Sequence, residues 1–103
     1  MSVITKSRSA LESEFKSLVS QWRNETSHLS SATRMAMHPA YQRIIGLGPD
    51  ALPLILSELK REPDHWFWAL NAISGDDPAS ADDDFGAAVA AWLRWGIARG
   101  YIA

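Results

Sequence analysis

Large apolar residues recur along this chain at intervals of three and four, and in no segment do they alternate strictly with polar ones. That spacing is the period of an α-helix and not of a strand, so it predicts an all-α protein, a compact bundle of about five helices without a sheet. The pattern is clearest at Leu11, Phe15, Leu18, Val19 and Trp22, which share one face of a first helix. Ser7 or Ser9 can cap its start, Glu12 and Glu14 lie near the positive end of its dipole, and Glu12–Lys16 is a favourable i,i+4 pair. The helix should fade near Glu25 or Thr26.

Turn chemistry divides the rest. The hydroxyls of Ser27, Ser30 and Ser31 compete for backbone groups and favour a turn or a new cap. A second helical stretch follows in two pieces, a short turn over Ala32–Met37 and a restart at His38-Pro39 with proline in the first helical position. Its apolar stripe is Tyr41, Ile44 and Ile45, and Gly46 and Gly48 end it. A third helix is expected from Asp50 as N-cap, with Pro53 early in the helix, where its missing N–H costs nothing. Leu52, Ile55, Leu56 and Leu59 are its buried face, and Glu62-Pro63 stops it. Asp64 then caps a fourth helix carrying Trp66, Leu70 and Ile73 on one face, flanked by Phe67 and Trp68 and closed by Gly75. Residues 75–84 are turn-rich and acidic and read as an exposed loop. In a fifth helix Phe85, Val89, Trp92, Leu93, Gly96 and Ile97 face inward, and Tyr101 and Ile102 fold back behind Gly100 as a hydrophobic clasp.

Composition removes several function classes. A chain of 103 residues fits one domain, with residues 1–8 as a flexible terminus. There is no cysteine, which excludes disulfides, thiolate metal sites and cysteine nucleophiles and fits a reducing cytoplasm. The first ten residues lack the apolar stretch of a signal peptide, and no apolar run approaches a membrane span, so a cytoplasmic protein without membrane contact is expected. The net charge of −2 conceals an asymmetry. Residues 1–48 carry Lys6, Arg8, Lys16, Arg23, Arg34 and Arg43 against Glu12, Glu14 and Glu25, a formal +3. Residues 49–103 carry Lys60, Arg61, Arg94 and Arg99 against nine acids, a formal −5. Such polarity can steer a charged partner toward one face, although two ordinary solvated surfaces are the simpler account of it.

The segment Gly48-Pro-Asp-Ala-Leu-Pro-Leu-Ile-Leu-Ser-Glu-Leu-Lys60, with Pro63-Asp-His-Trp-Phe-Trp-Ala-Leu-Asn-Ala-Ile-Ser-Gly75, resembles a HEAT-type unit. It has a glycine-led start, an early proline in its first helix, a short turn, and alanines at close-packing positions in its second helix. The resemblance covers about a quarter of the chain and implies an antiparallel helical hairpin. HEAT repeats as a class form protein-binding solenoids, but solenoids stack several units and one is visible here. The stretch Trp22-Arg-Asn-Glu-Thr-Ser-His-Leu-Ser-Ser31 with His38-Pro-Ala-Tyr-Gln42 also resembles a small bacterial protein family, which brings no chemistry with it.

Five tryptophans are many for this length. Trp66 and Trp68 lie about 200° apart around a helix, so both cannot face one core. Trp92 and Trp95 are neighbours on another helix, Trp95 nearer its edge. A partly exposed tryptophan is a candidate interface anchor, the alternative being that all five fill a small core. His28, His38 and His65 lack metal-ligand spacing, so no metal or other cofactor is expected. No catalytic residue is assigned either. The serines lack a nucleophile motif, and the loop carboxylates lack the burial that would tune them for acid–base work. Arg23 with Ser30 and Ser31 could hold an anion, or Arg23 could pair locally with Glu25 while the serines cap the next helix.

The sequence therefore points to a non-enzymatic helical module that binds another protein, of which a small regulatory or antitoxin-like neutraliser is one form. Its partner-binding candidates are Trp68, Phe67, Trp95, Arg23 and His65, and homodimerisation is a second way to cover exposed aromatics. The alternative is a nucleic-acid-binding accessory protein using Arg23, Arg34 and Arg43, with Lys6, Arg8 and Lys16. The acidic pI of about 5.8 and the lack of a helix-turn-helix with a basic second helix weigh against it.

Overall fold

A computed structural model describes residues 7–103, and among them the regular structure is all helical, without strands. Helix α1 spans Arg8–Thr26, capped by the Ser7 hydroxyl, which accepts from the Ala10 amide at 3.1 Å. Of the terminus that the sequence marks as flexible, residues 1–6 lie outside the described residues, and Ser7 and Arg8 begin this helix. Phe15, Leu18, Val19 and Trp22 are buried as their spacing requires.

The second helical stretch is divided at the expected point. Helix α2, Ala32–Ala36, starts at Ser31, whose hydroxyl accepts from the Arg34 amide. Helix α3, Pro39–Gly46, has Pro39 in its first position and buries Tyr41 and Ile44. His38 caps it with an imidazole nitrogen: Nδ1 accepts from the Ala40 amide at 3.0 Å while Nε2 meets Glu25 at 2.8 Å. Glu25 is thus tied to α3 and not to Arg23.

Two expected caps are replaced. Gly48, at φ 80, leads into a 3-10 turn over Pro49–Ala51 that runs directly into helix α4, Leu52–Arg61. Asp50 lies within that turn and does not cap α4. Pro49 and Pro53 contribute no N–H at this junction, so less needs capping. Helix α5, Phe67–Ser74, begins later than a cap at Asp64 would place it. The Asp64 carboxylate accepts instead from the next residue's amide, His65 N–H, at 2.8 Å.

Helix α6, Phe85–Ala98, is capped by Asp84, which accepts from the Ala87 amide at 2.8 Å. Trp92 and Gly96 are buried as expected, whereas Phe85 (40% exposed) and Ile97 (53%) are turned outward. Phe85 is the first residue of α6, where the stripe runs past the end of the core, and Ile97 lies at the margin of the inward face.

One core unites these elements. Helix α1 packs on α3, α3 on α5, and α4 on both α5 and α6. The approach of α6 to α4 depends on Gly96, where a Cβ would come 2.7 Å from Leu56 Cδ1 and 3.3 Å from Ile102 Cγ1. The chain then turns back, with the Tyr101 amide donating to the Gly96 carbonyl at 2.9 Å, and Tyr101 and Ile102 close over the core. No helix among the described residues is long and apolar enough to cross a membrane.

Candidate functional site

The link between α4 and α5, residues 62–66, is held from two sides. From α1, Arg23 reaches across to three acidic residues. It pairs with Glu58, donates from Nη2 to the Glu62 carbonyl at 3.0 Å, pairs with the Glu62 carboxylate, and donates from Nε to Asp64 at 3.4 Å. Arg61 joins this network, donating to Glu58 at 2.6 Å. Burial pushes the Glu58 carboxyl up, but the hydrogen bonds and charges of Arg61 and Arg23 outweigh it and hold the group below the usual glutamate range.

From α3, the Tyr41 hydroxyl donates to the His65 carbonyl at 3.0 Å and accepts from the Ala69 amide at 2.9 Å. Ala69 is the third residue of α5, whose amide an N-cap side chain would ordinarily satisfy. No local side chain does so here, and a tyrosine distant in sequence caps the helix instead. Burial raises the Tyr41 hydroxyl's pKa well above the usual tyrosine value, so it stays protonated and keeps both bonds.

This arrangement fixes which way each aromatic residue points. Trp66 is fully buried, stacked on Tyr41 (ring centroids 5.5 Å apart, planes 8° apart) and in contact with Trp22 at 4.6 Å and Phe15 at 6.3 Å. Its Nε1 is the one buried side-chain polar atom among the described residues without a hydrogen-bond partner. That costs about 1–3 kcal/mol, which ring contacts worth about 0.5–1.5 kcal/mol each can offset. Trp22, in the same cluster, donates from Nε1 to the Met35 carbonyl at 2.8 Å.

The neighbouring residues form an outward face. Trp68 is 46% exposed. Phe85, from the start of α6, meets the His65 ring edge-on at 5.3 Å and the Phe67 ring at 5.5 Å. His65, Phe67 and Trp68 join Ala32 and Thr33 of α2 around a cleft of about 190 Å³. That is below the roughly 300–1,000 Å³ of a small-molecule pocket but large enough for a side chain.

Three of the five sequence-named candidates, His65, Phe67 and Trp68, are therefore brought together. Arg23 is not with them, being committed to the carboxylates. The Arg23–Glu25 pair expected as one alternative does not form, and three acidic partners leave Arg23 poorly placed to hold an anion. Trp95 belongs to a different cluster: Nε1 donates to Asp76 at 3.1 Å, and the ring lies between Trp92 at 5.2 Å and Tyr101 at 5.6 Å. Arg99 covers the Trp95 ring at 5.2 Å and binds the same Asp76 oxygen at 2.7 Å. Trp95 thus pins the first acidic residue of the 75–84 loop to α6. Phe85 is the site residue that periodicity misplaced. Its signal was its position directly after Asp82-Asp83-Asp84, where a helix emerges from a polar loop.

A larger groove of about 510 Å³ runs between α1 and α4, but Arg23, Glu58 and Arg61 along it are already bonded to one another. No group of three or more histidine, aspartate or glutamate residues among the described residues is placed to hold a metal ion. Compared with family models, curated proteins and solved structures, the chain matches none.

Proposed function

We propose that this chain is a helical protein-binding module whose contact face is formed by His65, Phe67, Trp68 and Phe85. The observation that carries this reading is the outward placement of Trp68 beside a cleft of side-chain size, and of Phe85 against His65 and Phe67 of its lining. Exposed aromatic residues of this kind supply most of the energy of protein interfaces, and tryptophan is the most enriched of them. The second helix of the HEAT-type resemblance contributes Phe67 and Trp68, which is consistent with a binding role. A regulatory or antitoxin-like neutraliser is one form such a module takes. The alternative, a nucleic-acid accessory protein, draws less support, because Arg23 is occupied by carboxylates.

Site-specific photo-crosslinking in native lysate tests the reading. With a benzophenone side chain at position 68, we expect a discrete protein adduct. The same probe at position 97, exposed on α6, should not give it. Identical adducts from both positions, or none from position 68, would overturn the reading.

A further inference from the structure

Helix α3 is capped by a ring that can gain a proton. The side-chain caps of α1, α2 and α6 are oxygens of Ser7, Ser31 and Asp84, whereas that of α3 is an imidazole nitrogen. The Ala40 amide can only donate, so His38 Nδ1, 3.0 Å away, must present its lone pair and carry no proton. In the neutral ring the proton is then on Nε2, which donates it to Glu25 at 2.8 Å. The two contacts together select one tautomer of the uncharged imidazole. Ala40 is in the first turn of α3, where its amide has no acceptor within the helix, and it is buried, so water is a poor substitute for the cap. Glu25, on the last turn of α1, is the charged group that meets the ring. Nearby, Arg23 of α1 is bound to Glu58, Glu62 and Asp64, and Arg43 of α3 pairs with Glu14 at 3.7 Å. Arg34 of α2 and His28 of the linker before it make no bond to the ring, and α5, which packs on α3, carries no charged residue.

We infer that His38 makes the joint between α2 and α3 sensitive to protons: the neutral imidazole fastens it and the imidazolium loosens it. A proton added at Nδ1 turns the lone pair into an N–H that faces the N–H of Ala40, so that hydrogen bond is lost and the ring swings away. The cation also meets the positive end of the α3 dipole. The Nε2–H bond to Glu25 survives protonation as an ion pair, but Glu25 is exposed, and an exposed pair contributes less than a helix cap. The loosened turn lies between two supports of the aromatic face. Tyr41, one residue past Ala40, holds the α4–α5 link through the His65 carbonyl and the Ala69 amide. Gln42 donates to the Ala36 carbonyl at 2.7 Å and so ties down α2, which carries Ala32 and Thr33 of the cleft. Mild acid therefore loosens the elements that frame this face, whatever binds there.

The test is NMR of the whole chain from about pH 8 to about pH 5, the range in which histidine ordinarily changes charge. At the alkaline end the imidazole nitrogen shifts of His38 should show a bare Nδ1 and a protonated Nε2, and the opposite tautomer would overturn the inference. Solvent exchange of the Ala40 amide, corrected for its intrinsic pH dependence, should speed up about five- to tenfold toward the acid end, in step with protonation of the His38 ring. His38→Asn supplies a capping oxygen that takes up no proton, so its Ala40 exchange should stay level over the same range. Glu25→Gln removes the ion pair and leaves the cap, so there the acceleration should remain. Circular dichroism checks that both variants fold, and the urea midpoint of the wild type should fall further toward acid than that of His38→Asn. Level Ala40 exchange in the wild type, or the same acceleration in His38→Asn, overturns the inference. Loss of the acceleration in Glu25→Gln does so as well, by assigning the response to the ion pair and not to the cap.

Discussion

Trp66 and Trp68 are two residues apart, yet one is sealed in the core and the other stands in solvent. The inner region around Trp66 is held by rings on three sides and by residues from α1 and α3. The outer region around Trp68 has a shallow cleft and a single helix edge from α2. The contrast shows how a small domain can use one short segment twice, with its inner side securing the position of its outer side. The inner side is expected to govern stability and the outer side recognition.

Substitutions can break that division or sharpen it. The largest effect is expected at Trp66→Ala, which should cost about 3–5 kcal/mol by urea denaturation, as for other buried aromatic truncations. A loss below about 1 kcal/mol would mean that the inner cluster does not support the fold. Tyr41→Phe keeps the stacked ring and removes only the hydroxyl between the His65 carbonyl and the Ala69 amide. It should cost about 1–3 kcal/mol and expose the Ala69 amide to faster hydrogen exchange. Unchanged exchange there would mean that α5 does not depend on its distant cap.

Arg23 tests the clamp beneath the face. Arg23→Met should lower stability at neutral pH by about 1–2 kcal/mol, less than a fully buried pair would lose, because the side chain keeps some solvent contact. The pH dependence follows from Glu58, whose folded pKa is depressed. A depressed carboxylate contributes stability that is complete above its unfolded pKa and is lost as the pH falls through the folded value. Without Arg23 the folded pKa of Glu58 moves back up, although Arg61 still holds part of the shift. Urea midpoints measured from about pH 7 down to about pH 3 should therefore show less acid-dependent loss in the variant than in the wild type. Parallel curves would remove Glu58 from the account. The smallest stability effect belongs to Trp68→Ala, within about 0.5 kcal/mol, since an exposed ring has little packing to lose. A loss of several kcal/mol would place Trp68 in the core and end the distinction between the two regions.

Much of the fold was legible because it depends on local chemistry. The stripe Phe15, Leu18, Val19, Trp22 and the face Leu52, Ile55, Leu56, Leu59 follow from helical spacing, and both are buried. Ser7, Ser31 and Pro39 start their helices through hydrogen bonds or backbone angles set within a few residues. Gly75 ends α5 at φ 76, a left-handed conformation that glycine adopts without strain. The opposite fates of Trp66 and Trp68 were also written in their spacing.

What the sequence could not supply was the choice among competing long-range partners. Asp64 has the side chain of a cap, but the Tyr41 hydroxyl reaches the α5 amide from 28 residues away, and Asp64 serves the turn and Arg23 instead. Arg23 had an acid two residues along, and folding brought Glu58, Glu62 and Asp64 to it while His38 took Glu25. Trp95 was read with Trp68 as one interface, and folding sets it apart, beside Asp76 and Arg99. Phe85 belonged by period to the inward face, and only the end of the core decided that it would meet His65 and Phe67 outside. Helical period and turn chemistry act over a few residues and can be read along the chain. Hydrogen-bond partners and the limits of a core are settled by which helices lie side by side, and that only the tertiary structure decides.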